Sequence, residues 1–90
     1  MKVQQSPDFY TLYKSLNVRI RNQFDKKLIL FIKNPLNPHL NNHELHDKWK
    51  GYRSIDITSD YRAIYEELAD GDEPVAYFIA IGTHLQLYGK

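Results

Sequence analysis

The sequence predicts a single small α+β domain, with two N-terminal helices packed on one face of a curved antiparallel sheet of three to four strands. Two patterns predict this fold: apolar residues recur every three or four positions in the first third of the chain, and they alternate with polar residues after Trp49. The chain has 90 residues, of which 42% are apolar, so it can form one modest core and is too apolar for disorder. We therefore treat residues 1–90 as one domain.

Two helix-start signals occur before residue 20. Ser6 followed by Pro7 predicts the start of a first helix, which runs to about Leu16. Asn17 is a good N-cap for a second helix, and Asn34–Pro35 stops it. Residues 34–42 are rich in Asn and Pro, so we expect a loop there, with room for a short helical turn.

The second half of the chain predicts three strands, one around Ile55 and Ile57, one from Tyr61 to Glu66 and one from Val75 to Ile81. Ser59–Asp60 is short enough for a tight hairpin, whereas Leu68–Pro74 predicts a longer acidic turn. Consecutive strands joined in this way are antiparallel. Lys2–Gln5 is a candidate for a fourth strand at the edge of the sheet.

The composition excludes several classes of protein. With no Cys, the chain has no disulfide, no thiol nucleophile and no thiolate metal site, as is usual in a reducing cytoplasm. The N-terminus lacks the apolar segment of a secretory signal. The longest apolar run, Leu28–Ile32, is far shorter than the roughly 20 residues that cross a bilayer, so we expect a cytoplasmic protein without membrane contact. The net charge of +1 argues against binding nucleic acid by bulk electrostatics.

The near-neutral charge hides an uneven distribution. Arg19–Lys33 contains five basic residues and one acidic residue, whereas Glu66–Glu73 contains only acidic charges. The simplest interpretation is a solvated helix face and a solvated turn. The alternative is that the basic helix binds an acidic partner.

Three histidines, at positions 39, 43 and 46, lie within eight positions before the first long strand. A zinc site is the less favoured interpretation, because the spacing is not that of a metalloprotease motif and Pro and Asn interrupt any helix. For His39 and His46 we favour solvated loop side chains. We predict no metal and no cofactor.

A chemically mixed set of side chains flanks the predicted strands, and curvature of the sheet can bring these segments onto one concave surface. It contains imidazoles that exchange protons near neutral pH, a carboxylate, cationic groups for phosphate and aromatic rings for bases. RNA cleavage by an attacking ribose 2′-hydroxyl requires such groups and does not require a metal. We expect Trp49 and Tyr65, by contrast, to be packing residues.

The run HELHDKWKGYRSIDITSDYRAIYEE, followed by IGTHLQLYG, resembles the C-terminal half of YafQ-type toxins, within the RelE/ParE superfamily of bacterial type II toxin–antitoxin systems. The resemblance covers about half of the chain and depends on His-x-Leu before WKGYR, Asp-aromatic after the first strand, and GTHxxL followed by an aromatic residue. It implies a RelE/ParE-like fold and a ribosome-dependent endoribonuclease that cuts mRNA. It also implies a cognate antitoxin, with which the otherwise monomeric toxin forms a hetero-oligomer.

Carried over by position, the resemblance implies five catalytic residues: His43, Asp60, Arg62, His84 and Tyr88. A second set of residues consists of candidates for substrate binding: Lys48, Lys50, Arg53, Asp56 and Tyr61. The two histidines would share the acid and base roles, Asp60 would orient or activate, and Arg62 would neutralise phosphate charge.

The chain departs from the family pattern at two positions. Asp56 stands where YafQ-type toxins have a second catalytic histidine, and Ala80 stands where an arginine commonly precedes GTH. A carboxylate among basic residues is a weak base at neutral pH. These departures keep two alternatives open, a ParE-like gyrase-binding toxin and a relative that binds without cutting. An unrelated RNA-binding domain fits the near-neutral charge less well.

Overall fold

The computed structural model describes residues 1–89. Its regular elements, in chain order, are β1 (Lys2–Gln5), α1 (Pro7–Ser15), α2 (Val18–Lys33), β2 (His43–Glu44), β3 (Arg53–Asp56), β4 (Tyr61–Asp70), β5 (Glu73–Thr83) and α3 (His84–Tyr88). Two short 3₁₀ turns, Pro38–Leu40 and Asp47–Trp49, flank β2. Within these residues, no helix has the length and apolar character needed to cross a membrane.

The first two helices begin at the caps that the sequence predicts. The Ser6 hydroxyl accepts a hydrogen bond from the Phe9 amide at 3.0 Å, and the Asn17 side chain accepts one from the Ile20 amide at 3.0 Å. Each cap satisfies an amide that the first helical turn leaves without a partner. α2 ends just before Asn34, so the predicted bounds of both helices are confirmed to within a residue.

The sheet has five strands in the order β1-β5-β4-β3-β2, which is one more than the upper limit predicted. The additional strand, β2, is only two residues long, so no period-2 pattern could reveal it. The sheet is also not wholly antiparallel, because β1 pairs in parallel with β5. Parallel pairing is possible here since α1, α2 and the rest of the sheet separate these two strands in the chain.

The turn between β4 and β5 is much tighter than expected. β4 continues to Asp70 and β5 begins at Glu73, so only Gly71 and Asp72 remain between them. Gly71 adopts a φ of +65°, in the left-handed region that glycine enters without steric cost. The predicted long turn was wrong because cross-strand pairing, as between Leu68 and Val75, holds acidic and Pro-containing sequence in the strands.

The main core lies between the sheet and the helices α1 and α2. It is largely aromatic, with Phe9, Phe24, Phe31, Tyr65 and Phe78 all buried. The rings of Phe31 and Tyr65 meet edge to face with centroids 5.1 Å apart, a favourable geometry for aromatic pairs. The packing role predicted for Tyr65 is therefore confirmed.

A smaller cluster occupies the opposite face, where α3 packs on the sheet. Its buried members are Ile64, Ala80 and Leu87, with Trp49 packed against them. The Trp49 indole donates a hydrogen bond to the Leu87 carbonyl at 3.1 Å, which ties the second 3₁₀ turn to α3. Trp49 is thus a packing residue as predicted, although it packs against α3 rather than against α1 and α2.

The sequence reasoning missed α3, although its capping signals are present in the chain. The Thr83 hydroxyl accepts from the Gln86 amide, and the Gln86 side chain accepts from the Thr83 amide, which together form a capping box. Gly89 then ends the helix in the left-handed conformation, with φ of +73°. A helix of five residues is too short to show an apolar stripe, so only these end signals could have predicted it.

Candidate functional site

A row of paired residues places His43 on the α3 side of the sheet. His43 is the register partner of Ser54, Ser54 of Ile64, and Ile64 of Ala80. Side chains directly opposite one another on neighbouring strands point to the same face. Since Ile64 and Ala80 pack under α3, the side chain of His43 lies on the face opposite α1 and α2.

Tyr88 connects this row to His84. The Tyr88 hydroxyl lies 3.3 Å from the hydroxyl of Ser54, a fully buried residue at 0% exposure. The rings of His84 and Tyr88 meet edge to face, with centroids 4.6 Å apart, because the two residues are one helical turn apart on α3. Both histidines therefore lie on one face of the sheet, His43 in β2 and His84 at the start of α3, and the Ser54–Tyr88 contact connects the two segments.

The next row on this face carries an ion pair between Asp56 and Arg62, which are register partners. Arg62 Nε is 2.9 Å from Asp56 Oδ1, although the two groups lack the alignment of a hydrogen bond. Arg62 Nη1 also donates to the carbonyls of Thr58 and Tyr61, at 2.8 and 3.1 Å. The Arg62 side chain is 18% exposed, and its guanidinium is thus partly neutralised and held in place within the sheet.

Asp60 lies in the turn between β3 and β4, beside the start of α3. Its carbonyl accepts a hydrogen bond from the His84 amide at 3.0 Å. The same turn is closed by the Thr58 hydroxyl, which accepts from the amides of Asp60 and Tyr61. The backbone of this turn and the first residue of α3 are therefore held together, so Asp60 and His84 are neighbours in space although they are remote in sequence.

Lys48 and Lys50 extend the site beyond the sheet. Lys48 belongs to the 3₁₀ turn Asp47–Trp49 and is exposed in a cleft of about 360 Å³ whose wall includes Tyr88. Lys50 lines a second cleft, of about 370 Å³, together with His46 and Arg53. His46 lines both clefts. Glu44 and Glu67 also line the second cleft, so the charges toward the β2 edge of the sheet are mixed.

Two of the predicted substrate-binding residues lie on the helix side of the sheet. Arg53 is the register partner of Tyr65 and donates to the Asn42 side chain at 2.8 Å, with Glu44 at 3.5 Å from its guanidinium. Tyr61 packs against the main core. The structure therefore does not bring these two residues together with Arg62 and Tyr88.

Sequence reasoning did not single out Ser54 or the role of Gly82. A serine within a strand gives no signal in the sequence that it is buried and bonded to a residue of α3. Gly82 lies where the Gln86 side chain crosses the strand, and a Cβ at this position would be 2.8 Å from Gln86 Oε1. The glycine of the GTH motif thus gives room for the capping box of α3.

No group of three or more His, Asp or Glu side chains is arranged to bind a metal ion within residues 1–89. His39 lies away from the face described above, since its carbonyl accepts from Lys27 on α2 at 3.1 Å. Its place in the first 3₁₀ turn fits the solvated loop residue that the sequence suggested, as it is exposed.

Comparison with solved structures gives similar proteins over nearly the whole chain. YafQ from E. coli strain BL21(DE3) is 29% identical over 98% of both chains, with a TM-score of 0.77. A chain of the E. coli DinJ–YafQ toxin–antitoxin complex is 28% identical over 98% of this chain and 97% of that one, with a TM-score of 0.74. The YoeB/ParE toxin from Agrobacterium tumefaciens, 20% identical over 93% of this chain and 99% of its own, has a TM-score of 0.73 and shows the fold alone.

The family comparison agrees with these structures. A comparison with curated protein sequences, by contrast, found no match. A family model described as the bacterial toxin of type II toxin–antitoxin systems, YafQ, matches residues 2–89. The match spans the helices as well as the C-terminal motifs, and so extends the resemblance to almost the entire chain. This chain therefore belongs to the YafQ family of toxins from bacterial type II toxin–antitoxin systems.

Proposed function

We propose that this toxin is a ribosome-dependent endoribonuclease that cuts mRNA with His43 and His84 as its acid and base. One observation carries the proposal: the two imidazoles lie on one face of the sheet, joined through the Ser54–Tyr88 contact and the packing of Tyr88 on His84. Imidazoles exchange protons near neutral pH, which the reaction requires. The family match supports the toxin role on which this proposal builds.

The proposed reaction needs only groups of the chain and the RNA. The base takes the proton of the ribose 2′-hydroxyl, whose oxygen attacks the adjacent phosphorus. The bond from phosphorus to the 5′-oxygen breaks, and the acid gives that oxygen a proton. The products are a 2′,3′-cyclic phosphate and a 5′-hydroxyl. Asp60, which adjoins His84 through the backbone, orients the acid–base pair or activates one member of it.

Cations stabilise the charge that develops on the phosphate. Arg62 is the candidate on the sheet, and Lys48 is the candidate beside Tyr88. Because Asp56 already pairs with Arg62, the positive charge available to the phosphate is reduced. We therefore expect a slower nuclease than one whose arginine is unpaired. Tyr88 has a different role in the proposal, since its ring would stack on a base of the substrate.

Primer extension on cellular messages after induction tests this function. The wild type should leave codon-phased cuts and stop growth, whereas His84→Ala should leave neither because it lacks a proton-transfer group. His39→Ala is the matched control, since it removes an exposed imidazole from the 3₁₀ turn whose backbone contacts α2. If the wild type stops growth without leaving cuts, the result would instead favour a toxin that binds without cutting or a ParE-like gyrase-binding toxin. The YafQ family match does not support the gyrase-binding alternative.

We also propose a partner, an antitoxin that covers α2. E. coli YafQ is seen in a complex with DinJ. On α2 of this chain, exposed basic residues and an exposed isoleucine recur every three, four or seven positions on one face, namely Arg19, Lys26, Ile29 and Lys33. An amphipathic segment with apolar residues flanked by acidic ones complements this stripe in both shape and charge.

A further inference from the structure

One contact of His43 defines which of its ring nitrogens carries a proton. His43 Nδ1 lies 2.7 Å from the backbone carbonyl oxygen of Asn41. A carbonyl oxygen only accepts hydrogen bonds, so Nδ1 must be the donor. In the neutral imidazole the proton is then on Nδ1, and the lone pair that accepts a proton is on Nε2.

The backbone of Asn41 directs its carbonyl toward this ring. Asn41 ends the 3₁₀ turn Pro38–Leu40 with φ of 47° and ψ of 47°, in the left-handed region. Asn enters this region more readily than other residues with a side chain, and β-branched residues enter it least readily. A right-handed or extended residue at this position would turn the carbonyl away from His43.

The side chain of Asn41 also fixes the position of this residue. Its amide donates to Asp56 Oδ2 at 3.2 Å, which connects it to the Asp56–Arg62 pair. The following residue, Asn42, donates to the Pro35 carbonyl at 2.9 Å and to the Tyr65 hydroxyl at 2.8 Å. The loop that carries the carbonyl is therefore fixed to the sheet at residue 41 and again at residue 42.

We propose that Asn41 is a positioning residue that holds His43 as the Nδ1–H tautomer and presents Nε2 as the proton acceptor. The tautomer follows from the geometry alone. Its consequence for catalysis rests on the proposed nuclease function: His43 takes the proton of the 2′-hydroxyl, and His84 gives the proton to the leaving oxygen. The two imidazoles then have distinct roles although both belong to the same face.

Long-range ¹H–¹⁵N NMR of the full chain at about pH 8.5, where free imidazoles are neutral, tests the tautomer. Free imidazole side chains prefer the Nε2–H form, so a predominantly Nδ1–H pattern for His43 is the expected result. Asn41→Val should shift the His43 population toward Nε2–H because the carbonyl moves away. Asn41→Gly keeps the left-handed backbone and should retain most of the Nδ1–H form.

The other three histidines serve as internal controls, since their patterns should not change in either variant. A predominant Nε2–H form of His43 in the wild type would overturn the proposal, as would an unchanged His43 in Asn41→Val. If that variant fails to fold, Asn41→Asp replaces it. A carboxylate near Asp56 repels the loop while tolerating the left-handed conformation, so the same loss of the Nδ1–H form is expected.

Single-turnover cleavage of ribosome-bound mRNA separates positioning from binding. Asn41→Val should lower the rate of the chemical step about 10²-fold or more, the lower range for a positioned acid or base, with little change in the concentration giving half-maximal rate. Asn41→Gly should lose less. If the wild type cleaves no RNA, the nuclease function is refuted, whereas the His43 tautomer is still tested by the NMR experiment. A failure of the proposed function and a failure of the proposed tautomer are therefore distinguishable.

Discussion

The hydroxyl groups of Tyr88 and Ser54 lie 3.3 Å apart, across 34 positions of sequence, and this contact fixes α3 on the sheet. Ser54 is wholly buried, and the row that contains it also contains His43. The contact therefore relates the segment that carries His84 to the segment that carries His43. Its loss should affect both stability and the spacing of the two imidazoles.

A double-mutant cycle on this pair should show coupling. Tyr88→Phe leaves the Ser54 hydroxyl buried without this partner and should lower the free energy of unfolding by about 1–2 kcal/mol. The double variant Tyr88→Phe/Ser54→Ala should cost less than the sum of the two single changes, since no hydroxyl is then left unpaired. Urea unfolding measures all four proteins, and strictly additive effects would show that the contact contributes nothing.

The Asp56–Arg62 pair should restrain the nuclease. Asp56→Asn removes the carboxylate charge, so Arg62 presents its full charge to the phosphate, and we expect cleavage to rise about tenfold, equivalent to about 1.4 kcal/mol in the barrier. Arg62→Lys is the companion variant and should lower the rate, because an ammonium cannot reproduce the fixed fork of donors. Single-turnover cleavage measures both. A fall in Asp56→Asn with the His43 tautomer unchanged would instead identify Asp56 as a base, because the contact of Asp56 with Asn41 would then be intact.

Charge reversal on α2 should weaken the antitoxin complex. Lys26→Glu with Lys33→Glu places two acidic residues on the exposed stripe and should raise the Kd at least tenfold, mainly by slowing association. Lys27 is unsuitable because its ammonium group also bonds the His39 carbonyl. Lys14→Glu, on the exposed side of α1, is the control. Titration calorimetry with the cognate antitoxin gives the affinities, and equal values would place the antitoxin elsewhere.

The ion pair of Lys2 and Asp70 should give the domain a small pH dependence. The hydrogen bond from Lys2, reinforced by its charge, lowers the pKa of Asp70 and raises the pKa of Lys2. A lowered carboxyl pKa stabilises the fold above the usual aspartate range, and this stabilisation is lost as the pH falls through the lowered pKa. The raised pKa of Lys2 stabilises the fold at pH values below the usual lysine range. This stabilisation is lost as the pH rises through the raised pKa.

Thermal unfolding of Asp70→Asn tests the acid limb of this dependence. Below about pH 4, the Tm of the wild type should fall more steeply than that of the variant. Both groups are exposed, so the difference should be small and should vanish at about 1 M salt, where screening is strong. Asp72→Asn, in the adjacent turn, should behave as the wild type. A variant profile parallel to the wild type at low salt would show that the pair is not formed.

Local chemistry in the sequence was enough to predict α1, α2 and the strands β3, β4 and β5. Ser6 and Asn17 act within three residues of themselves, so their effect could be predicted without the tertiary structure. The capping box of Thr83 and Gln86 is equally local, and α3 could have been predicted from it. The short strand β2 and the parallel place of β1 depend on pairing with distant segments, which no local pattern describes.

The sequence by itself determined which chemical groups are available and that the chain resembles YafQ-type toxins. Only the tertiary structure decided their arrangement: Arg62 faces Asp56, Arg53 and Tyr61 lie on the helix side, and Ser54 joins Tyr88. The physical reason is that strand register sets the face on which each side chain lies, and a shift of one residue would reverse it. Register results from packing the whole core, so residues far from the site decide which groups meet there.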